Sequence, residues 1–178
     1  MGAVAAATAM GSFGVVRRYR REVGGARQRL AALDRSVLES EIGALEYAEE
    51  GSGRPLLVSH GIFHGFDGGL RSVRDLVDSF RIICPSRFGY LGTELPSGAT
   101  GALQADAFAF LLDHLELDTV DVVAISAGTA PAVQFALRHE ARVDHLVISS
   151  GSFPGSATAS APPTWAKAFY SDPAMWAV

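Results

Sequence analysis

The feature that most constrains this chain is residues 119–130, TVDVVAISAGTA, where an apolar run meets a serine. The run is rich in β-branched residues, as buried strands are, and helix-forming residues follow Ser126. Ala124 and Gly128 stand two residues on either side of Ser126 and supply the small side chains that a tight strand-to-helix turn needs. The A-x-S-x-G pattern therefore predicts a nucleophile elbow, and a short buried strand ending in an ordinary Ser-Gly turn is the alternative on this segment alone.

Two upstream segments favour the elbow. Residues 55–65, PLLVSHGIFHG, form a buried-type strand that breaks at His-Gly. A further apolar strand, Arg81–Pro85, leads into the loop Ser86–Gly92. In this order the chain resembles the α/β-hydrolase family (serine hydrolase type), in which an H-G turn precedes a P-S-R-x-G-Y-type loop and then the elbow. The resemblance covers roughly residues 37–151, the N-terminal portion of that family.

Hydrophobic patterning places these motifs in an α/β architecture. We predict an antiparallel pair from 36–42 and 44–48, strands at 56–59, 80–85, 120–125 and 143–149, and helices near 70–77, 100–116 and 131–139. Two antiparallel strands followed by alternating strands and helices indicate a mostly parallel twisted sheet flanked by helices. Active groups gather at the carboxyl ends of such strands, where the His60 turn, the Ser86–Tyr90 loop and Ser126 all fall.

The resemblance implies a mechanism for these residues. Ser126 would be the nucleophile, and the backbone amides of Ile62 and Ala127 would stabilise the oxyanion formed from the substrate carbonyl. His60, Gly61, Ala124 and Gly128 would support this site, with His60 in the structural role usual for that family. A serine at this position implies hydrolysis of an ester or a related acyl bond in a small-molecule substrate.

The chain departs from the family in its catalytic acid and base. These residues normally follow the nucleophile on later loops, but His139 and His145 fall where neither is expected to reach Ser126. His60 and His64 lie on the correct edge, and Asp172 lies in a tail without a strand to position it. We therefore expect an α/β-hydrolase core that is C-terminally truncated and inactive alone. The alternative is a non-catalytic protein of this fold that binds a ligand or partner.

Three segments are predicted: an apolar, then arginine-rich arm (1–35), the incomplete hydrolase core (36–151) and the start of a lid (152–178). Residues 1–16 carry no charged side chain, and four arginines fall within residues 17–21. This arm is either an N-terminal tail of a cytoplasmic protein or an anchor at the cytoplasmic face of a membrane, with weak membrane association through residues 1–35.

Composition narrows the functional classes. Hydrophobic residues make up 48% of the chain and charged residues 19%, which is typical of a globular protein. A formal net charge of −4 argues against nucleic-acid binding. The single cysteine, Cys84, lies in an apolar strand and is predicted to be buried and unreactive. No cluster has metal-ligand spacing, so neither a metal nor another cofactor is predicted.

Overall fold

One mixed sheet organises the core of this protein, for which a computed structural model describes residues 2–153, with side chains from residue 14 onward. Its strands are Ser36–Leu38 (β1), Leu45–Glu50 (β2), Arg54–Ser59 (β3), Phe80–Pro85 (β4), Val120–Ile125 (β5) and Val143–Ser149 (β6). The strand order is β1-β2-β4-β3-β5-β6. The pairs β1–β2 and β2–β4 are antiparallel, whereas β4, β3, β5 and β6 run parallel.

Helices follow most of the parallel strands. They are Gly2–Ala31 (α1), Phe66–Ser72 (α2), Gly101–His114 (α3) and Thr129–Arg138 (α4), with 3-10 turns at Arg74–Leu76, Ser126–Gly128 and Glu140–Arg142. Helix α3 begins as the sequence predicts, because the Thr100 hydroxyl oxygen accepts the Leu103 N–H at 3.1 Å. The mostly parallel sheet flanked by helices is thus confirmed. Helix α2 begins at Phe66, before the predicted start near residue 70, and ends at Ser72, and the separate 3-10 turn Arg74–Leu76 covers most of the rest of the predicted helix.

Alternation along the strands divides the core into two layers. Leu57 and Ile83 belong to the larger apolar cluster, which includes Phe108 of α3 and Phe135 of α4. The residues of opposite parity pack on the other side of the sheet, where Cys84 lies against Gly69 of α2. Cys84 is fully buried, and burial raises the pKa of its thiol above the ordinary value.

Strand β6 forms an exposed edge of the sheet. Five of its seven residues are exposed, including Val147 and Ile148. The reason is its position, since β6 is the last strand of the sheet and pairs with β5 alone. The residues 120–125 of β5, by contrast, alternate between buried and partly buried.

The N-terminal arm is helical over Gly2–Ala31. Helix α1 belongs to one compact unit, and the sheet lies in a second unit that begins at residue 34. Arg17, Arg18, Arg20 and Arg21 are exposed on this helix. Among the described residues, no helix is long and apolar enough to cross a membrane. Membrane association, cytoplasmic location and the three predicted segments stay predictions, and the predicted lid lies almost wholly outside the described residues.

Candidate active site

Ser126 occupies the turn between β5 and α4 in an unusual backbone conformation. Its φ is +49°, in the left-handed region that residues other than glycine rarely adopt. The Ser126 carbonyl oxygen accepts the Thr129 N–H, and it accepts the Ser152 N–H at 3.2 Å. Backbone strain of this kind persists only where the surrounding structure enforces it. The turn therefore holds Ser126, which is partly exposed, in a backbone conformation that a serine rarely adopts.

Position 128 requires glycine because there is no room for a Cβ atom, not because of its backbone angles. Its φ of −68° is open to any residue, but a Cβ atom there would collide with the Ser59 carbonyl oxygen and lie 2.7 Å from that of His60. The Ser59 hydroxyl also donates to the Gly128 carbonyl at 2.8 Å. The turn is therefore held in close contact with the end of β3. Ala124, on β5, is fully buried.

The peptide between Gly61 and Ile62 is held in a fixed orientation. The Gly61 carbonyl oxygen is 2.8 Å from His60 Nδ1 and accepts from Arg87 Nη2 at 3.1 Å. The Tyr90 hydroxyl donates to the next carbonyl, that of Ile62, at 3.0 Å. All described peptide bonds are trans, so the Ile62 N–H points away from the side on which His60 and Arg87 bind. Within residues 14–153 this N–H has no hydrogen-bond partner.

The His60 imidazole is fully engaged in structural bonds. Its Nε2 accepts the Arg87 N–H at 2.9 Å, so the ring proton resides on Nδ1 and is donated to Gly61. Burial is the main cause that lowers the pKa of His60 to about 4. The ring also makes an edge contact with Tyr90, with centroids 4.9 Å apart. His60 is therefore a neutral scaffold residue whose lone pair is already used.

His64 is the other histidine on this edge. A Cβ atom placed on Gly61 would lie 3.7 Å from both His64 Nε2 and Ser126 Cβ, so those two atoms are at most twice that distance apart. No hydrogen bond joins His64 to Ser126 in the described structure.

Two of the three remaining histidines, His139 and His145, contact aspartates away from Ser126. His139 Nε2 lies 2.8 Å from Asp106 Oδ1, and a hydrogen bond from Arg138 is the main cause that lowers the pKa of Asp106. His145 Nδ1 lies 2.8 Å from Asp121 Oδ1. The expectation that these two do not reach Ser126 agrees with their contacts, and Asp172 lies outside the described residues.

Glu46 organises the Ser86 loop, a role that was not predicted from the sequence. This side chain is 4% exposed and accepts from the Ser86 hydroxyl and the Gly92 N–H, both at 3.0 Å. Arg35 provides its counter-charge, with Nε 3.1 Å from Glu46 Oε1. The sequence does place a carboxylate inside a predicted strand, which is unusual for a buried strand. The alternation of residues along that strand does not indicate which groups the carboxylate binds.

A cavity of about 260 Å³ adjoins the elbow on the side of this loop. The loop after β4 and the first turns of α3 and α4 form its wall. Its lining residues are Arg87, Phe88, Leu95, Ala99, Thr100, Gly101, Gln104, Ala127, Ala130 and Pro131.

Comparison with known proteins agrees with this geometry. A model of the alpha/beta hydrolase fold matches residues 54–177. The uncharacterized hydrolase YcgS of Bacillus subtilis (strain 168) is 36% identical over 108 residues, which are 61% of this chain and 38% of that protein. The 2-hydroxymuconate semialdehyde hydrolase of Pseudomonas sp. (strain CF600) is 33% identical over 114 residues, 60% of this chain and 40% of that protein.

A solved structure shows the same arrangement of elements. The alpha/beta hydrolase fold protein from Nakamurella multipartita superposes with a TM-score of 0.64 at 35% identity, covering 71% of this chain and 46% of that one. The chain therefore belongs to the α/β-hydrolase fold family. It spans about two-fifths of the length of the curated relatives it matches.

Proposed function

We propose that this chain carries the nucleophile half of a serine hydrolase that cleaves an ester or a related acyl bond. The observation that carries the proposal is the left-handed Ser126, at φ +49°, in a strand-to-helix turn clamped by Gly128 against β3. Strain at a partly exposed serine is a recurrent property of nucleophiles on such turns. The hydrolase names of the relatives support the same class of reaction.

In this proposal two backbone amides stabilise the developing oxyanion. The Ile62 N–H is turned away from His60 and Arg87 by the bonds to the Gly61 carbonyl and remains free for a substrate oxygen. The Ala127 N–H lies at the start of the turn leading into α4, where N–H groups lack helical partners and the helix dipole favours negative charge. Preorganised donors of this kind are worth about 3 to 4 kcal/mol each in the transition state.

A base must still remove the Ser126 proton as the oxygen attacks the acyl carbon. Within residues 14–153 no histidine is hydrogen-bonded to Ser126, and the lone pair of His60 is already used. We therefore expect the 178-residue chain alone to hydrolyse p-nitrophenyl esters poorly. This same observation favours the second candidate function, a non-catalytic α/β-hydrolase-fold protein that binds a ligand or partner.

Labelling with a fluorophosphonate probe tests the nucleophile. We expect the probe to modify Ser126 in the protein as its gene encodes it, as located by peptide mass spectrometry, and Ser126→Ala to abolish labelling. The neighbouring Ser152→Ala is the matched control, because its side chain is a hydroxyl near the same turn and its backbone N–H bond to Ser126 is retained. Labelling of Ser126→Ala at the wild-type level would contradict the proposal, and a native circular dichroism spectrum of the variant would exclude unfolding as the cause of a loss.

A further inference from the structure

Helix α1 presents three arginines on one face. Arg17, Arg20 and Arg21 are exposed, and spacings of three and four residues place them side by side along the helix. None of the three forms an ion pair or a side-chain hydrogen bond with another residue that the structure describes. The nearby carboxylate of Glu22 accepts from Arg18 Nε at 2.8 Å. The face is therefore a cluster of guanidinium groups that is open to solvent.

The space beyond these arginines is also open. Gly24 continues the same face one turn further along α1, and a Cβ atom there would meet no atom within 4 Å. The absence of a side chain at this position lets a flat surface approach the helix closely.

The distribution of charge along the chain indicates what the face binds. Residues 1–35 contain seven arginines and two acidic residues, whereas the whole chain has a formal net charge of −4. The positive charge is thus concentrated in this arm, and the remainder of the chain is acidic. An anionic partner would be attracted by α1 and repelled by the rest of the protein, so α1 would determine where the partner binds.

The uncharged residues before the arginines narrow the class of anionic partner. Residues 1–16 contain no charged side chain, and from Gly2 onward their backbone belongs to the same continuous helix as the arginines. A nucleic acid offers phosphates without an apolar region beside them. The surface of an anionic bilayer offers phosphates directly next to hydrocarbon, so it can accommodate both the basic face and the uncharged part of one helix.

We propose that α1 binds the surface of an anionic lipid bilayer, with Arg17, Arg20 and Arg21 on the headgroup phosphates. A guanidinium group pairs with two phosphate oxygens at once, a geometry that a lysine does not offer. Each arginine near such a surface strengthens binding about fivefold. This inference does not depend on the role of Ser126, since none of its contacts involves the elbow.

Cosedimentation of the 178-residue chain with lipid vesicles tests the proposal. It compares vesicles of phosphatidylcholine alone with vesicles that also contain about 30% phosphatidylserine. We expect at least about tenfold tighter binding to the anionic vesicles near 0.1 M salt, and a large loss of that preference near 0.5 M salt, because salt screens the attraction. Equal binding to the two kinds of vesicle at the lower salt concentration would overturn the proposal.

Charge-matched variants locate the contact. Arg20→Gln combined with Arg21→Gln should weaken binding to the anionic vesicles about thirtyfold. Arg71→Gln combined with Arg74→Gln is the control, because it removes the same charge from exposed arginines outside α1, and we expect a change of about twofold or less. Equal weakening by the two double variants would overturn the proposal, since overall charge rather than this face would then control binding.

Folding of the variants is checked by circular dichroism, and glutamine preserves the helix propensity of arginine. If the double variant in α1 loses helical signal, Arg17→Gln decides, with an expected weakening of about fivefold. Retention of full vesicle binding by a folded variant of α1 would overturn the proposal.

A double-stranded DNA oligonucleotide tests the other class of anionic partner. Fluorescence anisotropy at the same salt concentration measures its affinity, which we expect to be at least about tenfold weaker per phosphate than that of the anionic vesicles. DNA binding as tight as vesicle binding would overturn the proposal, because the basic face would then bind any polyanion. Labelling of Ser126 by the fluorophosphonate probe is a separate measurement, so failure of the membrane proposal leaves the nucleophile assignment unaffected.

Discussion

At the scale of single residues, the elbow depends on an absence of side-chain atoms at Gly128. The atoms that a Cβ would meet belong to the backbone of Ser59 and His60 at the end of β3. Backbone in the middle of a sheet moves far less readily than the end of a flexible side chain. The contact therefore makes this position intolerant of any residue except glycine.

We expect Gly128→Val to lower the free energy of unfolding by about 3 kcal/mol or more, since overpacking of a close backbone contact is among the most destabilising changes. Ala124→Val should be destabilising for the same reason, because Ala124 is fully buried. Urea denaturation followed by circular dichroism measures both. Gly101→Ala is the control: a Cβ there meets its nearest atoms at 3.6 Å, and we expect a change within about 0.5 kcal/mol or a slight gain. Equal stabilities of Gly128→Val and Gly101→Ala would contradict the assignment.

The protonation of His60 makes the stability of the folded protein depend on pH. Its pKa in the folded protein is about 4, below the value of about 6.5 for an unfolded histidine, so only the unfolded chain takes up this proton between these limits. The contribution of neutral His60 is complete above about pH 6.5 and is lost as the pH falls to about 4. The shift corresponds to a loss on the order of 3 kcal/mol.

Denaturation of wild type and His60→Asn at pH 7, 5.5 and 4 separates this contribution from that of the carboxylates. We expect the difference in unfolding free energy between the two proteins to shrink as the pH falls through this window. His114→Asn is the control, because His114 is exposed. A difference that does not vary with pH would show that His60 is not held neutral by burial.

At the scale of elements, β6 is an exposed edge of the sheet. It is an edge strand, and Val147 is 57% exposed on it. Edge strands with exposed apolar side chains invite pairing with a second chain, and a lysine on the edge opposes such pairing.

We expect Val147→Lys to reduce self-association of the 178-residue chain while changing its unfolding free energy by about 0.5 kcal/mol or less. Sedimentation velocity at several protein concentrations measures the association. Leu137→Lys is the control, since Leu137 is 72% exposed on α4 and lies outside the sheet. If both variants reduce association equally, general surface hydrophobicity rather than the strand edge is responsible.

At the scale of the whole molecule, how well a feature can be predicted from the sequence depends on how far apart in the chain the interacting residues lie. The Thr100 cap and the bounds of β4 and β6 agree with the sequence because they depend on neighbouring residues. The exposure of β6 depends instead on which strands lie beside it, and the pattern of its own residues does not contain that information. The bond between the Arg87 N–H and His60 joins residues 27 positions apart, and no local pattern contains it. The strand-to-helix turn at Ser126 was predictable from the sequence, whereas the contacts that hold it depend on the assembled sheet.

The bond between Ser59 and Gly128 also has a consequence for how the protein folds. It joins residues 69 positions apart, and β3 lies between β4 and β5 although β5 follows both in the chain. Closing a loop of this length has an entropic cost that must be met before the contact forms, and such contacts slow folding. The contact that holds the left-handed serine therefore cannot form before β5 has docked beside β3, so the left-handed conformation of Ser126 reports on completed tertiary structure.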